Sequence, residues 1–280
     1  MALSPFNLRW RERYGPWAVV TGASDGIGRE FAVRLAERGL NLLLVARRES
    51  VLADLAKSLA AAHKIEARAV ALNLAEPDAA RRLLAAAADV DAGLLIASAG
   101  FGTSGHFLEA DLEQELEMID VNCRAVAALS SLFGRRFTQR GRGGIILMSS
   151  LLAFQGVPRA ANYAATKAYV QTLAEGLALE LAPAGVDVLA CAPGPVHTGF
   201  AARANMRMGM GLKPRDVAQV TLSALGRRTT VRPGWLSKLL ELSFTGMPRW
   251  GRSRILAQVM GGMTKHQQDG QAKTQARGSA

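Results

Sequence analysis

The residues best suited to chemistry in this chain are a serine, a tyrosine and a lysine. Ser150 follows the apolar run 145–148, and Tyr163 and Lys167 lie further on, four residues apart. Residues at that spacing share one face of a helix, so the phenol and the ammonium group can meet. The ammonium favours the phenolate and lowers the phenol pKa from its free value of about 10, which makes a usable acid or base. With a hydroxyl from a strand end, the pair could hold and protonate a carbonyl oxygen. Taken alone, it is equally compatible with a surface tyrosine beside a solvated lysine.

A glycine-rich loop near the N-terminus favours the chemical interpretation. Residues 21–28 follow a short apolar strand at 17–20 and precede an amphipathic helix that Gly39 closes. Strand, glycine-rich turn and helix form the context of a dinucleotide-binding loop, because glycines admit a pyrophosphate and the helix N-terminus offers free N–H groups. The alternative is an ordinary tight turn. The residues expected at the cofactor here are Gly22, Ser24, Asp25, Gly26, Ile27 and Gly28.

Two arginines indicate which dinucleotide the loop binds. The second apolar strand, 42–46, ends in Ala46 and is followed by Arg47 and Arg48. An acidic residue at this place would bind the ribose 2′-hydroxyl of NAD, whereas arginine suits the 2′-phosphate of NADP. The sequence therefore predicts NADP(H), the alternative being a solvated basic loop.

Together these features resemble the short-chain dehydrogenase/reductase family over roughly residues 15–225. The pattern Thr21-Gly22-x-x-x-Gly26-x-Gly28 matches its cofactor motif, and the flank 13–17 is similar to that of the hydroxysteroid and long-chain 3-ketoacyl reductase branch. The resemblance implies a catalytic role for Asn122, Ser150, Tyr163 and Lys167. In that role the tyrosine transfers the proton, the lysine lowers its pKa and grips the nicotinamide ribose, the serine holds the substrate oxygen, and the asparagine orders a relay water.

The same resemblance extends the cofactor site along the chain. It implies contacts from the ends of the third and fourth strands and from the segment that touches the nicotinamide: Asn73, Leu74, Ala99, Gly100, Pro193, Gly194, Val196 and Thr198, besides Tyr163 and Lys167. Two positions depart from the family pattern. Asn73 replaces an aspartate, although its amide carbonyl can still accept from an adenine amino group. Ser98 replaces an asparagine that braces the sheet. Both changes concern affinity or stability more than chemistry.

The apolar runs predict an α/β fold with a Rossmann-type doubly wound parallel sheet, forming a single domain with a C-terminal helical extension. Strand-like runs recur with helix-like stretches between them, and nearly half of the 280 residues are apolar, enough for one sizeable core. The runs are 17–20, 42–46, 67–72, 94–97, 145–148 and 186–191, with 229–231 as a short seventh. The predicted divisions are a lead-in at 1–14, a catalytic domain at 15–231, an amphipathic extension at 232–263 and a disordered tail at 264–280.

The charge of +11 is concentrated in the C-terminal part of the chain. Residues 226–280 hold ten Lys or Arg and two acids, interspersed with Trp and Leu. The extension is expected to be a lid or an oligomer contact, and the alternative is a peripheral contact of residues 235–263 with an anionic membrane surface. Nucleic acid is disfavoured, because no known binding module accompanies the basic residues. The two isolated cysteines and the lack of a signal-like run predict the cytoplasm, at most peripheral to its inner membrane surface.

The predicted function is an NADP(H)-dependent oxidoreductase that transfers a hydride between nicotinamide and a carbonyl or secondary alcohol. The segment 199–211, with three methionines and three glycines, is an adaptable apolar cover and favours a lipophilic ketone or alcohol as substrate. No metal site is expected, since no cluster of metal ligands stands out. A homodimer or homotetramer is expected. The alternative is a non-catalytic NADP-binding redox sensor or regulatory protein.

Overall fold

A computed structural model of the chain describes residues 5–206, 211–234 and 248–278. Within them, seven parallel strands form one sheet in the order β3-β2-β1-β4-β5-β6-β7. The strands are β1 (Trp17–Thr21), β2 (Asn41–Ala46), β3 (Ala67–Ala71), β4 (Ala92–Ala97), β5 (Gly143–Met148), β6 (Val186–Cys191) and β7 (Thr230–Val231). The predicted Rossmann-type sheet is confirmed, including its short seventh strand. The strand order reverses between β1 and β4, which is where such sheets bind ligands.

Helices cover both faces of the sheet. They are α1 (Pro5–Tyr14), α2 (Gly26–Glu37), α3 (Glu49–His63), α4 (Ala79–Ala86), α5 (Leu112–Ile119), α6 (Ala125–Arg140), α7 (Ala161–Leu181), α8 (Phe200–Arg203), α9 (Pro214–Ala224) and α10 (Arg249–Gly278). Alternate strand residues point to opposite faces, so Leu44 packs with α2 and α3 while Val45 packs in the core that includes α4 and α6. Because both faces are covered, the central strands are apolar at nearly every position.

The C-terminal helix crosses the boundary that composition predicts. Residues 264–280 are polar and were expected to be disordered, yet α10 continues to Gly278. The physical reason lies in its contacts with the body, since Thr264 is fully buried and accepts a hydrogen bond from Arg159 at 3.1 Å. Composition alone does not register such contacts.

The amphipathic extension predicted at 232–263 is described only in part. Residues 235–247 lie outside the described residues, and α10 accounts for most of the remainder. Among the described helices, none combines the length and apolar character needed to cross a membrane. Peripheral membrane contact and a cytoplasmic location stay predictions.

Candidate active site

A cavity of about 730 Å³ opens at the carboxyl ends of the central strands. Every residue expected to bind the cofactor lines it, from Gly22 on the first loop to Thr198 after β6. Ser150, Tyr163 and Lys167 line it as well, so two segments far apart in sequence meet there. Asn122 is buried beside the cavity rather than in its lining.

Close backbone approach explains the glycines of the first loop. A Cβ atom on Gly28 would come within 2.2 Å of the Gly22 carbonyl oxygen, so the start of α2 can pack on the loop only without a side chain. Gly22 has a φ of +68°, which side-chain-bearing residues rarely adopt. Asp25 caps α2 by accepting from the Gly26 N–H at 2.7 Å. The bare backbone and the helix N-terminus form a cradle that fits a pyrophosphate.

The two arginines after β2 make different contacts. Arg48 donates to both the carbonyl and the hydroxyl oxygen of Ser24, each at 3.1 Å, and so adds a cation to the glycine loop. Arg47 instead reaches Glu117 on α5, 3.5 Å away across the cavity. Asn73 accepts a hydrogen bond from the Ala75 N–H through its amide oxygen, which fixes the orientation of its side chain.

Tyr163 is buried, and its surroundings act on its acidity in opposite directions. Burial raises the pKa of Tyr163 to about 12, and a hydrogen bond with Ser150 works against that rise. Ser150 also accepts from the Leu152 N–H at 3.1 Å, which orients its hydroxyl. The phenol therefore stays protonated across the neutral range and is suited to donate a proton.

Lys167 is buried one helical turn beyond the tyrosine. Its Nζ donates to the Met148 carbonyl oxygen at 2.8 Å and lies 5.7 Å from the centre of the Tyr163 ring. Burial lowers the pKa of Lys167 to about 8. The hydrogen bond that lowers the pKa of Tyr163 comes from Ser150. A lowering of the Tyr163 pKa by Lys167 therefore stays a prediction.

Asn122 lies in a π-helical turn, Asp120–Arg124, that joins α5 to α6. Its side-chain oxygen accepts from the Phe101 N–H at 3.2 Å, and its Nδ2 donates to the Phe101 carbonyl and to the Thr166 hydroxyl. The side chain thereby ties the loop after β4 to α7, the helix that carries Tyr163. Ordering a relay water stays a predicted role for this residue.

The segment after β6 lines the cavity beside Ser150 and the first loop. The Leu151 N–H donates to the Pro193 carbonyl, which holds this segment next to Ser150. A Cβ on Gly26 would meet the Thr198 side chain at 2.8 Å, so the segment also packs directly on the first loop. Residues 207–210 of the predicted apolar cover lie outside the described residues.

The opposite end of the cavity is apolar and includes a wall from α10. Residues from three regions of the chain line it: Leu151, Leu152, Phe200, Met206, Leu256, Val259, Met260 and Met263. Polar contacts anchor this wall, since Gln267 donates to the Ser104 hydroxyl at 2.9 Å and to the Asn205 carbonyl at 2.7 Å. Residues of α10 thus line the cavity, and the role of the extension as a lid stays a prediction.

Sequence reasoning included these α10 residues only as part of the extension at 232–263 and Arg203 only as part of the cover at 199–211, and it missed Glu117 and Phe101. The α10 residues had one usable signal, the spacing of Leu256, Met260 and Met263 on one helix face. The other three belong to no motif, so only the folded chain places them in the cavity. Among the described residues, no group of three or more metal-ligating side chains is present.

Comparison with known proteins gives a consistent result. The family model described as short chain dehydrogenase matches residues 16–208. A 7beta-hydroxysteroid dehydrogenase of Clostridium sardiniense is 34% identical over 82% of this chain and 90% of its own length. A very-long-chain 3-oxoacyl-CoA reductase of Phaeosphaeria nodorum is 32% identical over 89% of this chain and 71% of its own.

Solved structures agree in fold. A 7beta-hydroxysteroid dehydrogenase structure superimposes with a TM-score of 0.82 at 26% identity, covering 88% of this chain and 98% of the other. A short-chain dehydrogenase from Sphingobium yanoikuyae, solved in complex with NADPH, gives a TM-score of 0.75 at 29% identity over 83% and 94% of the two chains. The resemblance inferred from the motifs, including its branch, is confirmed.

The lowered pKa of Lys167 predicts an alkaline limit to carbonyl reduction. A lysine whose pKa is about 8 carries its charge below that pH and loses it above. We expect kcat/KM to fall as pH rises through about 8, while Tyr163 adds no second limb below pH 10. A profile from pH 6 to 10 measures this. Lys167→Met should give a low and flat profile, and an unchanged alkaline limb in that variant would contradict the assignment.

Proposed function

The chain belongs to the short-chain dehydrogenase family, and we propose that it is an NADP(H)-dependent oxidoreductase acting on the carbonyl or secondary alcohol of a lipophilic substrate. The observation that carries the proposal is the position of Tyr163. It lies in one cavity between a glycine-lined cradle suited to a dinucleotide and an apolar compartment. A proton donor at that junction can serve a substrate held in the apolar end.

The bound nicotinamide supplies the hydride in reduction and accepts it in oxidation. In reduction, the Ser150 hydroxyl donates a hydrogen bond to the substrate oxygen and orients the carbonyl. Tyr163 then transfers its phenolic proton to that oxygen, so the carbon gains a hydride, the oxygen gains a proton and the tyrosine becomes phenolate. The ammonium of Lys167, 5.7 Å from the ring centre, stabilises that negative charge. In oxidation the phenolate removes the proton from the alcohol.

Charge at the adenosine end supports NADP(H) over NAD(H). Arg47 and Arg48 follow β2 and line the cavity, and Arg48 is already bonded to the glycine loop. No acidic residue follows β2 at the position where one would bind a ribose 2′-hydroxyl. Two guanidinium groups suit a phosphate better than a hydroxyl.

The apolar compartment supports a lipophilic substrate. Its walls carry leucine, methionine and phenylalanine side chains, and Met260 and Leu256 are almost fully buried there. Methionines adapt to irregular apolar shapes, so the compartment suits a bulky ketone. Each buried methylene contributes about 0.8 kcal/mol, or roughly fourfold in binding.

A panel of ketones graded by apolar size tests this function. We expect NADPH-dependent reduction, with kcat/KM rising roughly fourfold for each added methylene until the compartment is full. Tyr163→Phe should reduce turnover about 10²- to 10⁴-fold and leave NADPH affinity nearly unchanged. The exposed Tyr169 supplies the matched control, Tyr169→Phe, which should keep full activity. Tight NADPH binding without turnover on any ketone would favour the regulatory alternative.

The cofactor preference has its own test. Arg47→Asp replaces the cation nearest the expected 2′-phosphate by an anion. Since a charge-assisted hydrogen bond contributes about 1.5–3 kcal/mol, the ratio of NADH to NADPH dissociation constants should fall about ten- to a hundredfold or more. Fluorescence titration with both cofactors measures the ratio. Equal constants in the unmodified protein would contradict the preference.

We also propose that two copies associate through α5 and α7. These neighbouring helices expose large apolar side chains, among them Leu112, Leu116 and Leu179, the last 77% exposed. Apolar surface of this kind is typical of protein interfaces. Sedimentation velocity should show a dimer that Leu116→Glu and Leu179→Glu together convert to monomer. A monomeric unmodified protein would contradict this proposal.

A further inference from the structure

One carboxylate faces two arginines across the cofactor end of the cavity. The Glu117 Oε1 atom lies 3.5 Å from Nη1 of Arg47 and 3.8 Å from Nη2 of Arg203. Arg47 follows β2, Glu117 is on α5 and Arg203 ends α8, so the three side chains come from separate parts of the chain and line one cavity.

Both contacts are too long for strong pairing. Hydrogen bonds between a guanidinium and a carboxylate normally span about 2.7–2.9 Å. One oxygen shared at 3.5 and 3.8 Å therefore satisfies neither arginine fully. The two cations also repel each other; burial and then the charge of Arg47 lower the pKa of Arg203, and Glu117 only partly opposes them. A group with more oxygens and more negative charge would bind both better.

The position of Arg203 suits it to bind a group with several negatively charged oxygens. Its guanidinium lies over the Phe101 ring, 3.9 Å from the centroid, and the ring attracts the cation. The rest of α8 adjoins the apolar compartment, where Phe200 contacts the Tyr163 ring. One short helix thus contributes an aromatic residue to the substrate end and a cation to the cofactor end.

We propose that Arg203 binds the 2′-phosphate of NADP(H) together with Arg47, and that Glu117 occupies the place of that phosphate in the free protein. The inference rests on the proposed NADP(H) function. It adds two residues to the cofactor site with opposite effects on affinity, because the arginine binds the phosphate and the carboxylate competes with it.

Calorimetric titration with 2′,5′-ADP and with 5′-ADP tests this directly, since only the former carries the 2′-phosphate. Glu117→Gln removes the competing charge without changing shape, and an exposed ion pair contributes up to about 1 kcal/mol. We therefore expect 2′,5′-ADP to bind about two- to fivefold more tightly in this variant, with 5′-ADP unchanged. Raising the salt concentration should reduce the gain. Glu113→Gln, at an exposed position one turn earlier on α5, is the matched control and should change neither affinity.

Arg203→Gln should weaken 2′,5′-ADP binding about tenfold and leave 5′-ADP binding unchanged. In the Glu117→Gln background the same substitution should cost more, because the arginine no longer has a competing partner. Weaker binding after Glu117→Gln, or equal losses for both nucleotides after Arg203→Gln, would overturn the inference. If the unmodified protein binds 5′-ADP as well as 2′,5′-ADP, the proposed NADP(H) preference fails instead. Thermal melts of each variant verify that the fold is retained.

Discussion

Burial of the Lys167 ammonium is the constraint on which the site depends. No salt bridge to this group is present among the described residues, and its described hydrogen bond runs to the Met148 carbonyl at the end of β5. A buried charge with so little compensation is costly, so the surrounding backbone has to be placed accurately. Ser149 contributes to this placement, because its hydroxyl donates to the Lys167 carbonyl and its N–H donates to the Cys191 carbonyl. These bonds fix the position of α7 relative to β5 and β6, and therefore also the position of Tyr163.

The two ends of the cavity differ in the interactions that they offer to a ligand. Its cofactor end consists of bare backbone, a helix N-terminus and guanidinium groups, all of which attract phosphate. Its other end consists of apolar side chains that favour the release of water. Phe101 lies at the junction, with its backbone bonded to Asn122 and its ring under Arg203. Phe101, in the loop after β4, thus contacts both Asn122 and Arg203.

The features predictable from sequence were those whose physics is local. The glycine loop could be located because a close backbone approach requires glycine at fixed offsets, and the Tyr163–Lys167 pair because helical spacing brings the two together. The cavity wall from α10 could not, since it depends on contacts such as Gln267 with Ser104, which are 163 residues apart. Glu117 was equally hidden, because one of three glutamates on an amphipathic helix has no local signature that sets it apart. The same limit applies to Thr264 and Gln267, because the polar composition of this part of the chain does not reveal their contacts with the body.

The π-helical turn between α5 and α6 constrains the length of the chain there as well as the identity of its residues. A turn closed between residues five apart, here from the Ala125 N–H to the Asp120 carbonyl, holds one residue more than an α-helical turn. Before it, Glu117 lines the cavity, and after it Leu129 and Phe133 pack in the core against the sheet. Deleting one residue would rotate one side against the other by about 100° and turn one of these faces away. The length of the chain at this junction is therefore constrained as strictly as the identity of Asn122, whose side chain bonds Phe101 and Thr166.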